Sequence, residues 1–212
     1  PRDVDDDGAV YVTGVSFVSP QSGLFVPKTL TRKYDDQGVL VWSDDWGTGY
    51  YGGNGVATHI AIAPTGEIVV AGQRDLGEDW VLLRYDAANG TLLSETIWLA
   101  DSWFVSQPKA LEIDANGAIY LAGDFGDPLS GQTRAALVKF DANGVQQFAR
   151  VYTGAGAEIG SISSLAVGAS GEVYVAGGQV IPNLATQFAV SRLDPLDGEA
   201  LWTKTHGQFT GT

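Results

Sequence analysis

Apolar and polar residues alternate along this chain in short runs, and nearly every run stops at Gly, Asp, Asn or Pro. The runs are rich in Val, Ile, Tyr, Phe and Trp, the types that fit a pleated surface, and none is long enough to prefer a helix. In the stretch 60–97 the pattern predicts four strands: A around 60–63, B over 67–71, C over 80–85 and D over 91–97. Glycine falls at the A–B and C–D turns, where a tight hairpin needs a positive φ. The Asp that opens each C–D turn can accept a hydrogen bond from the turn's own backbone.

This order of residue types returns four times. Residues 3–14 (DVDDDGAVYVTG), 61–72 (AIAPTGEIVVAG), 112–123 (EIDANGAIYLAG) and 166–177 (AVGASGEVYVAG) share one pattern, and their glycines Gly8, Gly66, Gly117 and Gly171 lie 58, 51 and 54 residues apart. A second landmark follows each copy: Lys33-Tyr34-Asp35, Arg84-Tyr85-Asp86, Lys139-Phe140-Asp141 and Arg192-Leu193-Asp194, closing on Gly38, Gly90, Gly144 and Gly198. Beyond those glycines stand Trp42, Ser94, Phe148 and Trp202. Features that recur once per unit read as structural, which places Lys33, Arg84, Lys139, Arg192, Trp42, Trp202, Tyr11, Tyr120 and Tyr174 in the framework.

A four-stranded unit repeating at about 50 residues without helices predicts an all-β fold, a β-propeller of four four-stranded antiparallel blades. Its blades fall at approximately 1–46, 57–99, 108–152 and 162–205, as a single propeller domain or a propeller fragment. Leucine-rich and ankyrin solenoids are disfavoured by their shorter periods.

The blocks DDDGAVYVTG and TLTRKYDDQGVLVW resemble the bacterial seven-bladed β-propeller (SBBP) repeat, and IAIAPTGEIVVAG with FAVSRLDPLDGEALW is similar to the related delta-sixty repeat. The resemblance covers nearly all of the chain and implies an extracellular, cell-surface or periplasmic bacterial protein; it carries over no catalytic residue. It also implies more blades than four. With the first unit starting inside strand A, the expectation is a piece of a larger ring, the alternatives being a homodimer that makes eight blades and a closed four-bladed ring.

Charge and composition narrow the partners. With 12 Lys+Arg against 25 Asp+Glu the net charge is −13, which opposes the phosphate neutralisation that nucleic-acid binding needs, so no nucleic-acid partner is expected. The absence of Cys removes disulfides, thiolate catalysis and Cys-ligated metals. No apolar run reaches the ~18 residues of a membrane span, so no transmembrane segment is expected, and no signal segment opens the chain.

Antiparallel alternation puts the A–B and C–D turns on one face and the D–A and B–C connections on the other. The second set, D–A at 43–57, 99–108 and 153–161 and B–C at 15–27, 73–78, 124–133 and 178–186, differs from unit to unit. Variable loops on a rigid scaffold are where binding residues concentrate. The candidate ligand-binding residues there are Trp46, Tyr50, Tyr51, Asp101, Trp103 and Phe104, rings beside carboxylates that suit a sugar or anchor a protein. The bland reading has these rings filling space between blades.

Chemistry beyond that is sparse. Asp3, Asp5 and Asp7 before Gly8 match the D-x-D-x-D-G start of a calcium loop, yet the twelfth position is Gly14 and the other units lack the acids. Calcium is the one candidate cofactor, against an acidic hairpin turn. His59 and His206 are the only histidines, which excludes a three-His metal site within one chain, and no G-x-S-x-G elbow is present. The functional expectation is a non-enzymatic propeller scaffold of a secreted or surface protein, binding a protein or carbohydrate partner. The alternatives are a glycan-acting lyase or hydrolase using Asp101 and Asp124, and a structural subunit whose first blade is completed by another chain.

Overall fold

The computed structural model describes residues 1–18, 26–47, 55–74, 79–99, 105–126, 133–153, 158–179 and 187–207. Among them lie sixteen strands and no helix. The first sheet holds β1 (Arg2–Val4), β2 (Val10–Val18), β3 (Val26–Tyr34) and β4 (Leu40–Trp46). The second holds β5 (Val56–Ile62), β6 (Ile68–Arg74), β7 (Asp79–Tyr85) and β8 (Leu92–Leu99). The third holds β9 (Val105–Ile113), β10 (Ile119–Gly126), β11 (Thr133–Phe140) and β12 (Gln146–Tyr152), and the fourth β13 (Ser161–Val167), β14 (Val173–Gln179), β15 (Gln187–Leu193) and β16 (Ala200–His206). In each sheet sequence neighbours pair antiparallel without a crossover, the meander of a propeller blade.

Turn chemistry sets the register. Asp35 Oδ1 accepts the amides of Gln37 (3.0 Å) and Val39 (2.8 Å), and Asp141 Oδ1 those of Asn143 (2.9 Å) and Val145 (3.0 Å). Asp86 and Asp194 do the same for Ala88 and Leu196, each at 2.8 Å. The carboxylate thus satisfies amides that a two-strand ladder leaves open at its end. A register shift follows at the same place in every blade, at Lys33/Tyr34, Arg84/Tyr85, Lys139/Phe140 and Arg192/Leu193. Such a bulge adds local twist where strand C meets strand D.

Most of the expected loops are shorter than the residue types imply, two of them markedly. Strand β4 runs on through Trp46 and β5 begins at Val56, so both ends of the expected 43–57 connection are strand. Strands β2 and β3 likewise continue their ladder to Phe17 opposite Pro27. Backbone pairing propagates there although Phe17 is 66% exposed, because a hairpin needs ladder bonds and not a buried face.

The chain divides into two compact units, Pro1–Pro108 and Lys109–Thr212. In the first, Tyr11 and Trp42 pack with Ala57, Ile68, Val70, Val81, Leu83 and Tyr85. In the second, Tyr120, Leu137 and Tyr152 pack with Ile162, Leu165, Val173, Val175 and Leu193. Each core is therefore the space between two successive blades. One expectation fails here: Trp202 is 39% exposed and Tyr174 only half-buried, whereas Trp42 is 8% exposed and Tyr11 and Tyr120 are buried. The same repeat position is a core position only where another blade covers it.

Candidate functional site

The joint between blades is built from repeat residues. In the first unit the Trp42 indole Nε1 donates to the Ala87 carbonyl (3.0 Å), and Lys33 Nζ donates to the same oxygen (3.1 Å) while lying 5.0 Å from the Tyr11 ring centroid. Trp42 lies 6.2 Å from Tyr11 and 6.1 Å from Tyr85, ring centre to ring centre. Its seat is Gly90, where φ is +75° and an added Cβ would come within 2.6 Å of the indole. Glycine is required there twice over, for the backbone angle and for the approach of the ring.

The second unit repeats this. Lys139 Nζ donates to the Pro195 carbonyl (2.8 Å) and stands 5.0 Å from the Tyr120 centroid. A Cβ on Gly198 would come within 2.8 Å of Phe148, and Tyr152 Oη donates to the Gly198 carbonyl at 2.6 Å. Lys33 and Lys139 tie strand C of one blade to the turn of the next. Arg84 pairs instead with Glu67 of its own sheet.

Of the carboxylates singled out by sequence, Asp3, Asp5 and Asp124 are engaged by backbone amides, a tyrosine and a lysine. Asp3 Oδ2 accepts the Ile62 amide (2.9 Å), reaching from the first blade to the second. Asp5 Oδ1 accepts the amides of Asp7 (3.2 Å) and Ala9 (2.8 Å), and its Oδ2 accepts Tyr11 Oη (3.1 Å). Asp114 in the third blade closes its A–B turn likewise, on Asn116 and Ala118, both at 2.9 Å. Asp7 is exposed. Among the described residues no group of three or more His, Asp or Glu side chains is placed to hold a metal ion, and calcium at Asp3, Asp5 and Asp7 would have to displace the bonds just given.

Asp124 is buried, accepting Lys109 Nζ and the Ile162 amide, each at 2.6 Å. Both oxygens of this carboxylate are thus taken by donors within the blade pair. Trp46, expected in a loop, pairs with Thr29 as the last residue of β4. Its Nε1 donates to Glu95 Oε2 (3.2 Å), and its ring lies where a Cβ on Gly55 would strike it. Tyr50, Tyr51, Asp101, Trp103 and Phe104 lie outside the described residues. His59 Nδ1 is 2.9 Å from Thr58 Oγ1.

Burial pushes the Tyr85 and Tyr152 hydroxyls far above their ordinary range, with the Asp44 carboxylate that Tyr85 Oη meets at 3.0 Å adding to the effect at Tyr85. Burial also raises the Glu112 carboxyl. An open cleft of about 350 Å³ lies in the second unit, lined by Arg150, Glu158, Glu199 and the strand from Ala200 through Thr203, including Trp202. Sequence reasoning missed it because it treated Trp202 as core.

Known proteins place this geometry among propellers. Residues 115–146 match the family described as "Domain of unknown function (DUF5122) beta-propeller", a stretch within the third blade. No curated protein sequence matches the chain. The chain is similar in fold to quinohemoprotein alcohol dehydrogenase from Comamonas testosteroni (TM-score 0.59, 14% identity, 90% of this chain and 33% of that one). It is likewise similar to quinohemoprotein alcohol dehydrogenase ADHIIG from Pseudomonas putida HK5 (0.59, 14%, 96% and 35%). The polysaccharide lyase Uly1 matches at 0.59 and 11% identity, over 99% of this chain and 49% of that one. The chain spans a third to a half of the length of these structures, and at such identities the likeness shows fold alone. The protein is a β-propeller repeat protein.

Proposed function

We propose that the chain is a propeller scaffold of the SBBP and delta-sixty type, from an extracellular, cell-surface or periplasmic bacterial protein. In this reading it binds a protein or carbohydrate partner through its D–A and B–C connections without catalysing a reaction. The observation that carries the reading is a division of labour between the two edges of the blades. At one edge short turns are closed on their own backbone by Asp35, Asp86, Asp141 and Asp194, leaving little to offer a ligand. At the other edge the connections differ in length and sequence and carry Tyr50, Tyr51, Trp103 and Phe104 beside Asp101. The commitment of Asp124 to Lys109 and Ile162 supports binding over carboxylate catalysis.

The test is retention in affinity electrophoresis through gels containing soluble acidic and neutral polysaccharides, with a Tyr51→Ala/Trp103→Ala double variant as comparison. The expected result is retention by at least one polysaccharide that falls about 10-fold in the variant, the scale of losing an aromatic anchor, with an unchanged melting temperature. Equal retention by both forms, or release of new sugar ends that stops with Asp124→Asn, overturns the reading.

A further inference from the structure

We propose that the cleft lined by Arg150, Glu158, Glu199, Leu201 and Thr203 in the second unit binds a free α-amino acid with a cationic side chain, of the lysine type. It rests on other residues than Tyr50, Tyr51, Trp103 and Phe104, and it stands whether or not those rings hold a polysaccharide.

The cleft arises where the two joints, built on one plan, carry different side chains. In the first joint Asp44 stands two residues beyond Trp42, opposite Thr31, and its Oδ2 accepts the Tyr85 hydroxyl at 3.0 Å. Trp46, two residues further on, donates its indole N–H to Glu95. In the second joint Arg150 has the place of Asp44, two residues beyond Phe148 and opposite Leu137. The register around Arg84 and Arg192 puts Leu193, which has no hydroxyl, in the place of Tyr85, and Thr203 in that of Glu95. Tyr152 replaces Trp46, and its hydroxyl turns to the Gly198 carbonyl at 2.6 Å. The contacts that close the first joint are therefore lost in the second, and an open cleft of about 350 Å³ is left.

Its charged groups are held in place from outside the cleft. The Arg150 stem is seated on the C–D turn, since a Cβ on Gly198 would come within 3.1 Å of the Arg150 Cβ. Glu158 Oε2 accepts the Thr153 amide (3.0 Å) and hydroxyl (2.8 Å), which leaves Oε1 for a ligand. The backbone of Glu199 is fixed on both sides, its amide donating to Asp197 Oδ1 (2.8 Å) and its carbonyl accepting the Asp194 amide (2.8 Å). Thr203 meets Ser191 Oγ at 2.8 Å, and Ser191 is buried between Ala189 and Leu193 of the core. Leu201, on the same face of β16 as Thr203, is 52% exposed. Among the described residues the three charges that line this space form no ion pair with one another.

Counting those charges selects the ligand. One guanidinium and two carboxylates leave the cleft at −1, and the complement is one carboxylate with two cations, the charges of lysine at neutral pH. The planar fork of Arg150 suits the α-carboxylate. Glu158 and Glu199 take the α-ammonium and the side-chain cation, with the methylene stem along Leu201. A sugar acid would satisfy Arg150 but leave both carboxylates without a cation, and the net charge of −13 on the chain opposes an anionic ligand.

The experiment is isothermal titration calorimetry of the 212-residue chain with L-lysine at pH 7 and low salt. Cadaverine, which lacks the carboxylate, norleucine, which lacks the side-chain cation, and glucuronate are the comparison ligands. The expected result is saturable binding of lysine, weakened about 10-fold or more for cadaverine and for norleucine, the scale of one charge-assisted pair. Arg150→Gln lowers the affinity for lysine by a similar factor and leaves that for cadaverine unchanged, because the group it served is already missing from that ligand. Glu199→Gln, at an exposed position that leaves the melting temperature as it is, also weakens lysine, so the test does not depend on how well the Arg150 variant folds. No saturable heat with lysine up to about 10 mM, equal affinity for lysine and cadaverine, tighter binding of glucuronate, or lysine binding indifferent to either substitution overturns the proposal.

Discussion

Trp42→Ala destabilises the first unit by about 3–5 kcal/mol, the range for removing a buried aromatic when its surroundings cannot collapse into the space. The surroundings are held on three sides: by Tyr11 and Tyr85, whose rings lie 6.2 and 6.1 Å away, and by the Gly90 backbone, which carries no side chain to move inward. The Ala87 carbonyl loses the indole N–H and keeps only Lys33. Urea unfolding followed by tyrosine and tryptophan fluorescence is the check, and it shows an early transition for the variant with the second unit's transition in place. Trp202→Ala occupies the same repeat position, but its indole is 39% exposed, and it costs less, about 1 kcal/mol. Equal losses from the two substitutions would mean that the joint is not what stabilises a pair of blades.

Above pH ~10 the stability of the chain falls steeply, because the Tyr85 and Tyr152 hydroxyls stay protonated in the folded protein while the unfolded chain releases those protons near the ordinary tyrosine value. The sign is that of any group whose folded pKa is raised. The contribution is fully present below the unfolded pKa and is lost as pH rises from there towards the folded one. Each tyrosine costs about 1.4 kcal/mol per pH unit in that window, so the two together remove several kcal/mol by pH ~12. Tyr85→Phe and Tyr152→Phe each lower stability at pH 7, through the lost bonds to Asp44 and to the Gly198 carbonyl. Each also flattens the alkaline slope by one proton. Urea titrations at half-unit steps from pH 8 to 12 read both effects; an unchanged slope in the variants would contradict the buried-tyrosine account.

The strands were legible because their code is local. Asp and Gly at fixed offsets close the turns, and the apolar runs between them are too short for helices; Gly8, Gly38, Gly66, Gly90, Gly117, Gly144, Gly171 and Gly198 all have a positive φ. What a side chain meets in the next blade is not local. Trp42 and Trp202 are indistinguishable in sequence context, and only the presence of Gly90 against one of them separates core from surface. Asp124 read as a loop acid available for catalysis because its partners, Lys109 and Ile162, lie 15 and 38 residues away.

One long-range signal was present and passed over. The first and third blades share Lys33 and Lys139, Asp5 and Asp114, and a three-residue step from turn Asp to Gly; the second and fourth share Arg84 and Arg192 and a four-residue step. That alternation marks a two-blade period, and it coincides with the division of the chain at Pro108 and Lys109. The loop residues Tyr50, Tyr51, Asp101, Trp103 and Phe104 follow no repeat at all, which is why they suit a partner-specific role and why no register argument can orient them.

Hydrogen exchange of the wild-type chain, resolved to single strands by mass spectrometry, tests the four-blade register most directly. Strands B and C are each paired on both sides and strand D on one. The account therefore predicts slow exchange in β2, β3, β6, β7, β10, β11, β14 and β15, faster exchange in β4, β8, β12 and β16, and the same order in all four sheets. Protection that runs across the turns at Gly66 or Gly117, or a sheet whose inner strands exchange as fast as its outer one, would contradict it.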